Sequence, residues 1–447
     1  MTEHLARSRV SPVSPSVGKT QTAPDLGPED TACQVPVAEA PEPARVGRWF
    51  ICVYMLTYFG LNLTMLMPTL FSVAYKVQMI DPGGKEASLG LVMGLGGLFG
   101  LVGGPVAGVL SDATRLRWGR RRPWLVGGLV LSALGALVIA MAPDILTTIA
   151  GFAVAQLGIA AVSAGFNPVL AERVPSAQRG TLGALGGASA SLAGVAAYSL
   201  GGFLSGNLLV LFLLPVVIFG AVSVLFLLTV RDEPAPPGVR VPSASALVGS
   251  FVFSPRKYPD FSLVLVGKFL LQFGFTFFST YQLYVLVDRL GFTTEQAGQQ
   301  LAVVGGISLV AMMSFAVGGG MLSDRLRRRK PFVYGAAGLI AVGLCIASVA
   351  PDFTLYIVGG TLLAAGTGAF NSVDLAMATD LLPEQERAGK YMSIYYLASS
   401  VPATIAPFVA PVLLAVGAGP NYTLLFLSGA MLAAGAIITT WKIRSVR

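Results

Sequence analysis

"SDATRLRWGRRRP", Ser111–Pro123, puts five arginines into thirteen residues of a chain in which only 12% of residues are charged. Taken alone, such a run suits a solvated loop and a nucleic-acid patch equally well. The flanks decide between them. Residues 88–110 before it and 123–142 after it are apolar, and each is long enough to cross the ~30 Å hydrocarbon core of a bilayer.

The rest of the chain repeats that arrangement. Of its 447 residues 54% are hydrophobic, and the mean hydropathy is +0.72. A soluble domain carries roughly 25% charged residues, and its helices keep a polar face that long stretches here lack. Twelve spans can be counted, at about 49–75, 88–110, 123–142, 145–169, 181–203, 208–230, 261–287, 297–322, 331–350, 353–378, 389–416 and 421–441. The expected fold is therefore an all-α membrane protein of two six-helix bundles, 48–230 and 261–442. A disordered cytoplasmic tail (1–47), a Pro- and Ser-rich cytoplasmic linker (231–260) and a short cytoplasmic tail (443–447) complete the division. The stretch before Arg48 offers no uninterrupted apolar core, so a cleavable signal is not expected and the first span would also target the protein.

Lysine and arginine orient the spans, because cytoplasmic loops are enriched in them. With both termini inside, 26 of the 30 basic residues fall on the cytoplasmic side; Lys76, Lys85 and Arg289 fall outside and Lys268 within span 7. The net charge of +8 thus reads as membrane orientation in a cell membrane, and no nucleic-acid partner is expected. Cys33, Cys52 and Cys345 are odd in number and widely spaced, and the one histidine, His4, lies in the tail, so neither a disulfide framework nor a metal site is expected. Without a GxxxxGK[ST] loop or a cluster of His, Cys and carboxylates, an enzyme, a primary pump and a cofactor are not expected either.

The chain repeats at an offset of 208. "APD" at Ala142–Asp144 recurs at Ala350–Asp352, and "ERVPSAQRG" (Glu172–Gly180) falls on "DLLPEQERA" (Asp380–Ala388). The arginine-rich stretch returns four residues shorter as "SDRLRRRKP", Ser323–Pro331. Parallel six-helix repeats describe a transporter whose solute site lies at the repeat interface near the midplane.

On these residues the chain resembles the major facilitator superfamily over about residues 48–442. That family's loop motif, Gly-x-x-x-Asp then Gly-Arg-Arg, is carried by Gly108, Asp112, Gly119, Arg120 and Arg121, with six residues between Asp112 and Gly119 where the common form has two. The longer loop, and "NSVDLAMATDLLP" (Asn371–Pro383), are similar to the sucrose:proton symporters and related glycoside:cation symporters. The resemblance implies that Asp112 locks the start of span 11 and Asp324 the start of span 5. The implied cytoplasmic gate is Asp112, Arg117, Gly119, Arg120, Arg121, Glu172, Asp324, Arg325 and Asp380. Glu172 and Asp380 are placed to pair with loop arginines. Two patterns depart from relatives: spans 1, 2 and 4 hold no membrane-depth acid, and the drug-antiporter signature of span 5 is incomplete, with Tyr198 near the expected proline.

Charges inside spans cost at least ~2.5 kcal/mol each at a helix centre and usually face a cavity. Lys268 in span 7 and Asp374 in span 10 are the two candidates, at matching depths of ~10 and ~9 Å from the cytoplasmic side. Burial disfavours a charged carboxylate and a neighbouring ammonium favours it, so a movable pair can bind and release a proton. Asp288 and Arg289, ending span 7, read as surface. Tyr54, Tyr58 and Asn62 share a stripe of span 1. With Gln156 and Asn167 in span 4, Gln272 in span 7 and Asn371 in span 10 they read as solute-binding groups, aromatic plates beside amide donors. The resulting expectation is a monomeric proton-coupled symporter of a sugar or similar polyhydroxylated solute; the alternative is a proton-driven exporter of a drug-like or biosynthetic small molecule.

Overall fold

The computed structural model describes residues 45–230, 253–326, 328–383, 388–417 and 419–444. Most of the expected N-terminal tail and linker, and the last three residues, lie outside these. Among the described residues twelve helices are long and apolar enough to cross a membrane, and no strand is formed. They are α1 (Arg48–Ile80), α2 (Lys85–Ala113), α3 (Arg122–Met141), α4 (Ile145–Arg173), α5 (Ser176–Leu204), α6 (Leu208–Thr229), α7 (Pro259–Arg289), α8 (Thr294–Leu326), α9 (Lys330–Val349), α10 (Phe353–Asp380), α11 (Ala388–Leu414) and α12 (Tyr422–Lys442). Several run past the apolar spans, because their polar ends continue the helix outside the hydrocarbon.

The sequence repeat has a structural cause. The aspartates of the two "APD" stretches are N-caps: Asp144 accepts the Thr147 N–H at 2.7 Å to start α4, and Asp352 accepts the Leu355 N–H at 2.9 Å to start α10. That backbone hydrogen bond holds the Asp144 carboxyl below the usual carboxylate range. Behind the caps lie glycine contacts at the same offset. A Cβ on Gly135 would sit 2.4 Å from the Ala155 nitrogen and 2.7 Å from the Gly151 oxygen, and one on Gly343 would sit 2.6 Å from the Gly359 oxygen. Backbones of α3 and α4, and of α9 and α10, are thus in direct contact, as suits helices in lipid, where close packing replaces hydrophobic drive.

Basic side chains close the helix ends in equivalent pairs. Arg122 donates to the Leu227 and Val230 carbonyls at 2.8 Å, at the end of α6, and Lys330 donates to the Ile443 carbonyl beyond α12. At the other face Lys76 donates to the Ala140 carbonyl at 3.1 Å and Arg289 to the Ser348 carbonyl at 2.6 Å, at the ends of α3 and α9. A cation at a helix C-terminus satisfies free carbonyls and opposes the negative dipole end. Two of the three basic residues that break the charge asymmetry are therefore helix caps; Arg289 is exposed, as expected, while making this contact.

The face bearing Ser111–Pro123 is the basic end. The two halves meet at the far end: a Cβ on Gly298 of α8 would lie 2.5 Å from the Gly202 Cα of α5, and one on Gly90 of α2 would lie 2.4 Å from the Pro407 oxygen of α11. Toward the basic end these helices part. A Cβ on Gly104 or Gly108 of α2, or on Gly180, Gly183 or Gly187 of α5, would meet nothing within 4 Å.

Candidate coupling site

Lys268 on α7 and Asp374 on α10 form an ion pair, Nζ to Oδ2 at 2.7 Å, with side chains 12% and 2% exposed. The seam is made by the residues around them: Val373 and Met377 turn one face of α10 into the core, which carries Asp374 inward, while Asn371 one turn earlier is exposed. A third residue joins from α11. The Tyr395 hydroxyl donates to the same Oδ2, and the Lys268 ammonium stands 3.6 Å from the centre of the Tyr395 ring. Asp374 Oδ1 is buried with no hydrogen-bond partner. One carboxylate oxygen is thus doubly engaged and the other free, an arrangement that can take a proton without first breaking a bond.

The expected solute-binding groups are not gathered into one site. Tyr54 is buried in a stack, its ring 4.8 Å from Phe166 and 6.4 Å from Tyr58. It is a wall of the N-terminal core rather than an open plate. Tyr58 is half-buried against Gly186, and Asn62 donates to the Tyr58 carbonyl at 2.8 Å. Gln156 lines a cavity of about 10 Å³ within the N-terminal bundle beside Ser132, and its Oε1 has no hydrogen-bond partner. Asn167 and Asn371 are exposed and Gln272 is half-buried.

At the basic end each half ties its own loop. Arg121, 9% exposed, binds Asp112 at 2.9 Å and Glu172 at 2.7 Å, and Arg120 also binds Glu172. In the other half Arg329 takes the place of Arg121, binding Asp324 at 3.2 Å and Asp380 at 2.9 Å. Glu172 and Asp380 do pair with loop arginines, while Arg117 and Arg325 are exposed. Gly119 has φ +105° and its N–H bonds the Leu116 carbonyl at 3.0 Å, a turn that glycine tolerates and that accommodates the longer loop. The expected partner of Asp112, the start of α11, adjoins residues 384–387, which lie outside the described residues; among the described residues Asp324 makes no contact with the start of α5. The two carboxylates pair within their own halves and remain 56% and 72% exposed, because the halves stand apart at this end.

Contacts between the halves gather at the far end, and sequence reasoning missed them. Lys85 of α2 binds Asp288 of α7 at 2.5 Å and lies over the Tyr284 ring. The Tyr422 hydroxyl of α12 contacts Asp288 at 2.6 Å and Glu86 of α2 at 3.2 Å. Asp288 is exposed, as expected, and it is also a contact point between the halves. Deeper, Gln282 of α7 donates to the Tyr198 hydroxyl of α5, so the residue that stands at the expected proline position joins the two halves. The available signal was Lys85, a basic residue on the face where few occur, facing an acid at the end of another span.

Twelve membrane helices in two like halves, with a buried ion pair between helices of one half, define a membrane transporter. The chain belongs to the Major Facilitator Superfamily, whose family model matches residues 50–319 and 299–447. The MFS transporter asaE of Aspergillus flavus is 25% identical over 462 residues, covering 96% of this chain and 92% of that protein. An uncharacterized symporter of Synechocystis, sll1374, is 46% identical over 57 residues; the match covers 12% of this chain and only 10% of that protein. Among solved structures, the nucleoside transporter NupG has a TM-score of 0.68 at 14% identity, over 89% of this chain and 100% of that one. A D-xylose-proton symporter has a TM-score of 0.64 at 18% identity, over 89% and 98%. These likenesses show a shared fold.

Proposed function

We propose that this protein is a proton-coupled symporter of a sugar or similar polyhydroxylated solute, working by alternating access in a cell membrane as a monomer, with the basic end cytoplasmic. The observation that carries this reading is the buried Lys268–Asp374 pair, the one ion pair among the described residues that lies at membrane depth. Asp374 takes and releases the proton and Lys268 is its partner. Half-buried Tyr58, Asn62 and Gln272, with exposed Asn167 and Asn371, supply aromatic and amide contacts for hydroxyls. On this reading the far end, where Lys85 meets Asp288, is the outer gate, and the basic end, where the halves part, faces the cytoplasm. Purified protein in proteoliposomes, screened for counterflow of labelled sugars with and without a proton gradient, tests the proposal. Sugar counterflow is expected; extrusion of dyes or antibiotics without sugar exchange would assign the protein as an exporter and overturn the sugar reading.

In this scheme Asp112 and Asp324 leave their arginines when the halves close at the basic end, and meet the first turns of α11 and α5. A carboxylate at a helix N-terminus gains about 0.3–1 kcal/mol, which is roughly a two- to fivefold bias in the inward–outward equilibrium. Asp112→Asn and Asp324→Asn are expected to slow net transport severalfold while equilibrium binding of the solute changes little. Loss of binding in a folded variant would move these residues from the gate to the solute site.

A further inference from the structure

The Lys268–Asp374 pair raises a problem of charge. When a buried carboxylate takes a proton, the ammonium beside it loses its counter-ion, and an unpaired buried charge is strongly unfavourable. An anionic solute would offset it, but a sugar would not. The geometry supplies another answer in Tyr395, which lies outside the residues that sequence reasoning selected. Its ring centre is 3.6 Å from Lys268 Nζ and its hydroxyl donates to Asp374 Oδ2, so one side chain touches both members of the pair. The Tyr395 side chain is itself buried, which strengthens a cation–π contact.

We infer that Tyr395 is the positioning residue of the coupling site: its ring face keeps Lys268 in place after Asp374 is protonated, and its hydroxyl fixes the carboxyl so that the proton arrives at the free Oδ1. The inference rests on Asp374 being the proton site. Few other groups bear on this exchange. Lys268 comes from α7 and Tyr395 from α11, with Tyr396 beside the Tyr395 ring at 5.5 Å. From α8 and α9, glycines 319 and 320 and the residues Ala336 and Ile340 pack on α10, and these carry no charge. Because α11 also packs on α2 in the other half, through Pro407 against Gly90 and Phe408 against Gly94, Tyr395 ties the proton site to a helix that spans the interface of the halves.

Two variants separate the ring from the hydroxyl, measured in proteoliposomes beside wild type and Asp374→Asn, with labelled solute identified by the counterflow screen. Tyr395→Phe keeps the ring and removes a hydrogen bond to the charged form, so proton-driven accumulation persists and the pH midpoint of uptake moves up by about one unit. Tyr395→Leu removes both, so accumulation falls at least tenfold while counterflow persists. A merely structural tyrosine would alter expression and melting temperature without moving the midpoint in Tyr395→Phe. If Asp374→Asn loses accumulation while Tyr395→Phe keeps the wild-type midpoint, the role given to Tyr395 is wrong and that of Asp374 stands. If Asp374→Asn still accumulates solute, the underlying assignment fails instead. Should Tyr395→Leu not fold, the midpoint in Tyr395→Phe decides alone.

Discussion

Asp374→Asn abolishes accumulation driven by a proton gradient and leaves solute counterflow in place. Asparagine keeps the shape of the side chain and can still accept from Tyr395 and Lys268, but it takes up no proton at physiological pH. Counterflow requires only that the loaded carrier reorient, so it survives; accumulation requires a titrating group, and it is lost. The substitution has a second, separable effect. Removing one partner of a buried ion pair typically costs about 3–5 kcal/mol, because the remaining charge is left uncompensated. Asp374→Asn and Lys268→Ala should therefore each lower the melting temperature, and the double variant should recover part of the loss without regaining accumulation. That pattern separates coupling from folding: the double variant is stable yet uncoupled. An Asp374→Asn protein that still concentrates solute in response to a proton gradient would leave the pair as a structural bridge between α7 and α10.

The fold was legible in the sequence because lipid imposes a simple rule on it. A span must be apolar over its whole length, and repeated halves must repeat the contacts that cap and pack them; the "APD" stretches were visible as a repeat before their N-cap role was known. The Lys268–Asp374 pair was legible for the same reason, since a charge at membrane depth is rare enough to stand out. Tyr395 was not. An aromatic residue in an apolar helix is ordinary core by composition, and only the turn of α11 against α7 and α10 brings its hydroxyl and its ring to the pair. Tyr54 failed in the opposite sense: its position on a polar stripe suggested a solute plate, yet the stack with Phe166 covers it. Asp112 and Asp324 were placed for a conformation in which the basic end is closed, and a single sequence does not say which state a structure holds.

Reversing the charge at either end of the far-end pair, by Lys85→Asp or Asp288→Lys, should reduce transport at least tenfold, and the exchanged pair in one protein should restore much of it. Lys85 and Asp288 belong to different halves and their side chains are 11% and 27% exposed, so their attraction is screened less than that of a surface pair. A contact of this kind contributes about 1–3 kcal/mol, between the range of exposed pairs and that of buried ones. Each half-reversal replaces attraction with repulsion, and places like charges between Lys85 and Arg289 neighbours or beside Glu86 and Asp288, biasing the protein toward the state in which this end is open. Transport needs both states to be visited, so a large bias in either direction slows the cycle. The complementary test locks the contact. With Lys85→Cys and Asp288→Cys in a background lacking the native cysteines, a bifunctional thiol cross-linker with a reducible spacer should hold the far end shut and stop counterflow, and a reductant should release it. Tyr422→Phe, which removes the hydroxyl shared by Asp288 and Glu86, should fall between wild type and the reversals. Wild-type rates in both single reversals, or undiminished counterflow in protein shown to be cross-linked, would show that this end does not open during transport and that the outer gate lies elsewhere in the interface, with Tyr198 and Gln282 the next contact to examine.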